Sequence, residues 1–217
     1  MEKKVPVSVY AEMTPNPAVL KFVANKRLIE LDHVEFKNIE EARPSELATS
    51  LFHFPFVKEI FISGNYLAIT KYDIVEWEEI TLELRELIRD FVAEGNQVLD
   101  ESLMQTTEAE ASNDETQEAQ VPNPNQVHPE EKDPKDYDPI EERIVQLLEE
   151  YVTPAVAQDG GNIKFMNFNE SDGAVNVLLQ GACSGCPSST QTLQQGIHNL
   201  LQQMLPGQIK SVNAVNG

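Results

Sequence analysis

Apolar residues recur along this chain in two rhythms, one of period two and one near 3.6, and each change of rhythm marks an element boundary. Val5, Val7 and Val9 alternate with polar neighbours and predict a strand. Val19–Val23 predicts a second, and the intervening Thr14-Pro15-Asn16-Pro17 can only be a turn or extended loop. Pro44-Ser45-Glu46 reads as a helix start, with Leu47, Ala48, Leu51 and Phe52 on one face. Ile60–Ile62 and Tyr66–Ile69 flank Ser63-Gly64-Asn65, a hairpin signal. The rhythm then lengthens: Ile80, Leu84, Leu87, Ile88, Phe91 and Val92 share a helix face, and Gly95 stands where a helix ends.

A second pattern starts at Asp138. This residue can cap, Pro139 suits the first helical position, and Glu141 completes a capping box. Ile140, Ile144, Leu147, Leu148, Tyr151 and Val152 form one stripe, and Pro154 predicts a kink or an early end. Asp159-Gly160-Gly161 turns the chain into a strand, Asn162–Phe168. Ser171-Asp172-Gly173 turns it again into a partner strand, Ala174–Leu179. A cysteine loop follows. Pro187 opens a helix with Leu193, Ile197, Leu200, Leu201 and Met204 on its buried face, Pro206-Gly207 ends it, and Ile209–Val215 reads as a last strand.

Between the two patterns periodicity disappears. The stretch from Asp100 to Asp136 holds 11 acidic and two basic residues, four prolines and no aromatic. Such a segment buries too little apolar area to offset its ordering entropy, so it reads as a flexible, self-repelling tether. The expected architecture is α+β. Two small α/β domains, residues 1–98 and 137–217, are joined by a flexible acidic linker over 99–136; the second domain runs helix, hairpin, CxxC loop, helix, strand. A net charge of −20 repels nucleic acid and anionic lipid, so neither is an expected partner. No apolar run approaches the roughly 20 residues of a spanning helix, and no signal peptide is legible after Met1. The expectation is a soluble, cytoplasmic protein.

In a reducing compartment a CxxC is more often a metal or redox site than a structural disulfide. The chain's two cysteines lie in Cys183-Ser184-Gly185-Cys186-Pro187. A [4Fe–4S] cluster or a closed zinc site takes about four protein ligands, so one chain offers half a site. Four readings stand: a cluster shared by two chains, a zinc-bridged dimer, a dithiol–disulfide oxidoreductase, or an idle pair. The unpaired N–H groups at the start of the Pro187 helix are expected to favour thiolates on both cysteines. Gly181 and Gly185 remove bulk beside the sulfurs, and Gly185 permits a positive φ.

Other candidates carry less. His33 and His53 read as surface or core, His128 lies in the tether, and His198 reads as surface flanking the apolar stripe. Ser188, Ser189 and Thr190 read as first-turn caps rather than nucleophiles. Asp159 reads as a turn former and Trp77 as core or interface packing, with Glu76, Glu78 and Glu79 a solvated helix start.

Asp159-Gly160-Gly161, the hairpin after it, and Gly181-Ala182-Cys183-Ser184-Gly185-Cys186-Pro187-Ser188-Ser189-Thr190 resemble the C-terminal domain of NifU and the Nfu-type iron–sulfur proteins over roughly 137–217. Thr14-Pro15-Asn16-Pro17-Ala18, Leu20-Lys21-Phe22, the Pro44-Ser45 helix and Asp73-Ile74-Val75-Glu76-Trp77 are similar to the Nfu N-terminal domain. The resemblance implies a non-enzymatic carrier that holds a [4Fe–4S] cluster across a homodimer through Cys183 and Cys186. It would receive the cluster from an upstream assembly scaffold and pass it to apo iron–sulfur proteins. The N-terminal domain has no cysteine, and the role implied for it is partner recognition.

Overall fold

The structure, a computed structural model, describes residues 6–100, 135, 137–184 and 187–216. The chain divides into two compact units, residues 1–121 and 122–217.

The first unit is a five-stranded antiparallel sheet with helices packed on it. Strand β1 (Val9–Met13), β2 (Val19–Ala24), β3 (Val34–Phe36), β4 (Val57–Ser63) and β5 (Tyr66–Lys71) stand in the order β1-β2-β5-β4-β3. Helices α1 (Glu46–Phe52) and α2 (Trp77–Glu94) bury their apolar stripes against it. Leu20, Phe22, Ile60, Ile62, Leu67 and Ile69 meet Leu47, Leu51, Leu84 and Ile88 in one core. The Gly64-Asn65 hairpin forms as the residues predict, with Gly64 at φ 51°. Gly95 closes α2 at φ 84°, where a side chain would be strained. Of the expected Val5-Val7-Val9 strand, Val5 lies outside the described residues; β1 begins at Val9, and Val7 packs against the core ahead of it. Strand β3 has just three residues, too few to show a period, and it went unforeseen.

The end of this unit also differs from expectation. Val98 and Leu99 are buried in the core. The Asp100 N–H donates to the Pro44 carbonyl at 2.7 Å, and the Ser45 hydroxyl, which caps α1 by accepting from the Ala48 N–H, donates to the Val98 carbonyl at 2.7 Å. Folded structure therefore runs to Asp100, two residues past the expected domain end at 98. Apart from Lys135, which is described, the rest of the expected linker lies outside the described residues.

In the second unit Asp138 and Glu141 make both halves of the capping box that opens α3 (Pro139–Leu147). Pro154 has no N–H to give and its ring crowds the Glu150 carbonyl. The helix answers with a wide π turn over Leu148–Val152, in which the Thr153 N–H reaches back to Leu148, before α4 (Thr153–Gln158). Strands β6 (Gly161–Asn169) and β7 (Ala174–Gly181) are an antiparallel hairpin. Helix α5 (Pro187–Met204) then crosses over to β8 (Ser211–Asn216), which lies parallel to β7 at the sheet edge. Ile163, Phe165, Val175, Val177 and Leu179 pack against Ile144, Leu147, Ile197 and Leu201. Met204, expected in the core, is 40% exposed; Leu205 takes the core-side position of the last turn instead. No helix among the described residues is long and apolar enough to cross a membrane.

Candidate functional site

The cysteine loop leaves β7 at Gly181, whose φ of 63° turns the chain sharply off the sheet. It is fixed by its own backbone. The Ser184 N–H and hydroxyl both donate to the Gly181 carbonyl, at 3.0 and 2.9 Å. The Thr190 hydroxyl, one turn into α5, donates to the Cys183 carbonyl at 3.4 Å. Thr190 thus tethers loop to helix rather than serving as a nucleophile. Ser188 and Ser189 have no described side chains, and Gly185 and Cys186 lie outside the described residues.

The back of the loop is the Asp159-Gly160-Gly161 turn, some 20 residues upstream. Gly160, at φ 82°, offers its carbonyl to the Ala182 N–H at 3.2 Å. Gly161 lies directly under the thiol: a Cβ there would stand 2.8 Å from Cys183 Sγ and 2.7 Å from the Gln180 carbonyl oxygen. Sequence reasoning assigned this glycine to a turn and missed its second duty, for which a pair of glycines rather than one was the available sign.

Cys183 is 7% exposed and belongs to the core of the second unit. Burial, and secondarily the negative charge of Asp159, push its thiol up to about 11. This direction is opposite to the one expected from the α5 N-terminus, because burial disfavours the charged thiolate. Between about pH 9 and 11 the buried thiol therefore keeps a proton that an exposed cysteine loses. Iodoacetamide should modify Cys183 far more slowly at pH 8 than a free thiol, with a rate that climbs toward pH 11. Peptide mass mapping of the labelled chain checks this; a rate that plateaus near pH 9 would show an ordinary, accessible thiol.

His33 stacks on Phe61 at 5.6 Å, and His53 Nδ1 sits 2.9 Å from the Thr49 carbonyl. His198 is half-buried, not plain surface: it lines a polar pocket between α5 and β8 with Gln191, Gln194 and Lys210. His128 lies outside the described residues. Trp77 is buried in the first unit, its indole N–H donating to the Pro17 carbonyl at 2.9 Å. Among the described residues no group of three or more His, Cys, Asp or Glu side chains is placed to hold a metal ion.

Residues 9–95 match the family described as scaffold protein Nfu/NifU N terminal, and residues 144–213 match the NifU-like domain. The chain is 30% identical over 205 residues to "NifU-like protein 4, mitochondrial" of Arabidopsis thaliana, which spans 94% of this chain and 64% of that protein. It is 29% identical over 212 residues to "NifU-like protein 5, mitochondrial" of the same plant, spanning 98% and 69%. It is 31% identical over 199 residues to "NFU1 iron-sulfur cluster scaffold homolog, mitochondrial" of Homo sapiens, spanning 91% and 68%. The chain thus covers about two thirds of the length of these relatives.

Proposed function

Because this chain belongs to the Nfu/NifU family, we propose that it is an iron–sulfur cluster carrier, not an enzyme, which holds a [4Fe–4S] cluster as cargo between two copies and delivers it to apo-proteins. The sulfur count carries the reading. Cys183 and Cys186 are the chain's only thiols, a cubane takes about four, and two copies supply that number. A cargo held by half-sets of ligands is also one that can be handed on, since incoming thiolates replace the donors one at a time.

The loop geometry adds a condition. Cys183 must give up its proton as the iron–sulfur bond forms, so loading releases protons. The N-terminal unit brings no thiol, and its role in this reading is partner recognition. An upstream assembly scaffold supplies the cluster. The relatives' names place those proteins in mitochondria; the thiol chemistry asks only for a reducing compartment, and the cytoplasm is the setting we propose for this chain.

Anaerobic reconstitution with ferrous iron and sulfide tests the proposal, with iron, sulfide, zinc and native mass measured on the same sample. The expected product is a brown dimer with about four irons and four sulfides per two chains. A colourless zinc-containing dimer would assign the thiols to a zinc bridge, and iron-free monomer with a reversible Cys183–Cys186 disulfide would assign them to redox exchange.

A further inference from the structure

We infer that the outward face of α5, centred on Gly196 and Asn199, is the surface on which a second copy of this chain docks to complete the thiolate set; the inference rests on the carrier reading above. Charge is its first support. From Gly173 to Gly217 there is one charged side chain, Lys210, and no Asp or Glu. At the chain-wide 24% charged, those 45 residues would carry about eleven, and interface centres are where charge is characteristically depleted. All 36 acidic residues lie before Gly173. Two copies of net −20 repel wherever acids face acids within a Debye length of about 8–10 Å. The exposed face of α5 presents Gln195, Gly196, Asn199, Gln202 and Gln203 instead, uncharged groups that two like-charged molecules can bring together.

Gly196 is the second support. It stands inside an 18-residue helix, where glycine costs about 1 kcal/mol relative to alanine. A Cβ there would meet nothing within 4 Å, so the chain's own packing does not require its absence. A second helix backbone passing close would. Geometry is the third. Helix α5 starts at Pro187, the residue after Cys186, so a two-fold axis running along α5 sets both helix starts, and both cysteine loops, side by side. Both N-terminal partial charges then face the anionic cargo. The other obvious self-pairing, β8 edge against β8 edge, fails this requirement. Antiparallel pairing there sends the two β7 ends to opposite ends of the joined sheet, on the order of 20 Å apart for strands of this length.

A two-fold interface presents each residue twice, so Asn199→Glu puts two like charges across the axis. The experiment uses the full chain, reconstituted anaerobically with ferrous iron and sulfide, and reads dimer dissociation by sedimentation alongside iron per chain. Asn199→Glu is expected to weaken the loaded dimer at least tenfold and to lower bound iron in step, with an unchanged unfolding midpoint. Asn199→Gln is expected to restore both readings, and Ser8→Glu, the same added charge at an exposed position of the first unit, to leave both as in the unaltered chain. A loaded Asn199→Glu dimer as tight and as iron-rich as the unaltered one would overturn the docking face while leaving the carrier reading intact. An unaltered chain that takes up no cluster, or takes up a full one as a monomer, would overturn both.

Discussion

Cys183→Ser is expected to reduce the iron retained after reconstitution to under about a tenth of that in the unaltered chain, and Cys186→Ser to do the same. A cubane held by two half-sets of thiolates loses two of its about four ligands when one cysteine is replaced in both copies. The substituted hydroxyl at 183 is a poor iron ligand, and it stays buried where the thiol was. Its cost to the fold is the burial of one polar group, on the order of 1 kcal/mol where a partner is found. Far-UV circular dichroism and the unfolding midpoint should therefore change little while the visible absorbance disappears. Stoichiometric iron retained in either variant would show that the sulfur ligands come from elsewhere.

Gly161→Ala is expected to destabilise the second unit by about 2 kcal/mol or more, the upper part of what overpacking costs in a close-packed core. The added methyl would lie 2.7 Å from a backbone oxygen, which cannot swing aside, and 2.8 Å from Cys183 Sγ, which can move only by leaving the core. In a unit of this size that lowers the unfolding midpoint by on the order of 10 °C. Alkylation of Cys183 at pH 8 should accelerate in the same variant, since the displaced thiol becomes both hydrated and easier to ionise. Gly196→Ala is the contrasting case: with open space around it, the free chain should gain up to about 1 kcal/mol from helix propensity. A Gly161→Ala chain as stable as the unaltered one would show that the turn and the loop are not in contact.

What the sequence disclosed was local. The Asp138–Glu141 capping box, the Gly95 helix end, the Gly64-Asn65 hairpin and the stripe from Ile80 to Val92 are each written in residues a few positions apart, and each formed where it was read. What it concealed was remote pairing. Nothing near Ser211 announces that β8 lies parallel to β7, because that choice belongs to the α5 crossover. Strand β3 is too short to carry a rhythm, and Pro154 signals a disturbance without saying that a π turn will absorb it. The candidate site divides the same way. The spacing of Cys183 and Cys186 named the sulfur donors proposed here, but the raised thiol at Cys183 comes from its burial and secondarily from Asp159, both of which exist only in the folded unit.

The clasp at the end of the first unit has a mechanical consequence. Asp100 and Val98 are hydrogen-bonded to Pro44 and Ser45, more than 50 positions back. Tension on the chain beyond Asp100 is thus borne first at the start of α1, through a hydroxyl that also anchors the Ala48 N–H. Gly95, which closes α2, lies before the clasp and is shielded from that load. A tug from whatever the far half is engaged with would loosen α1 before it unwound α2.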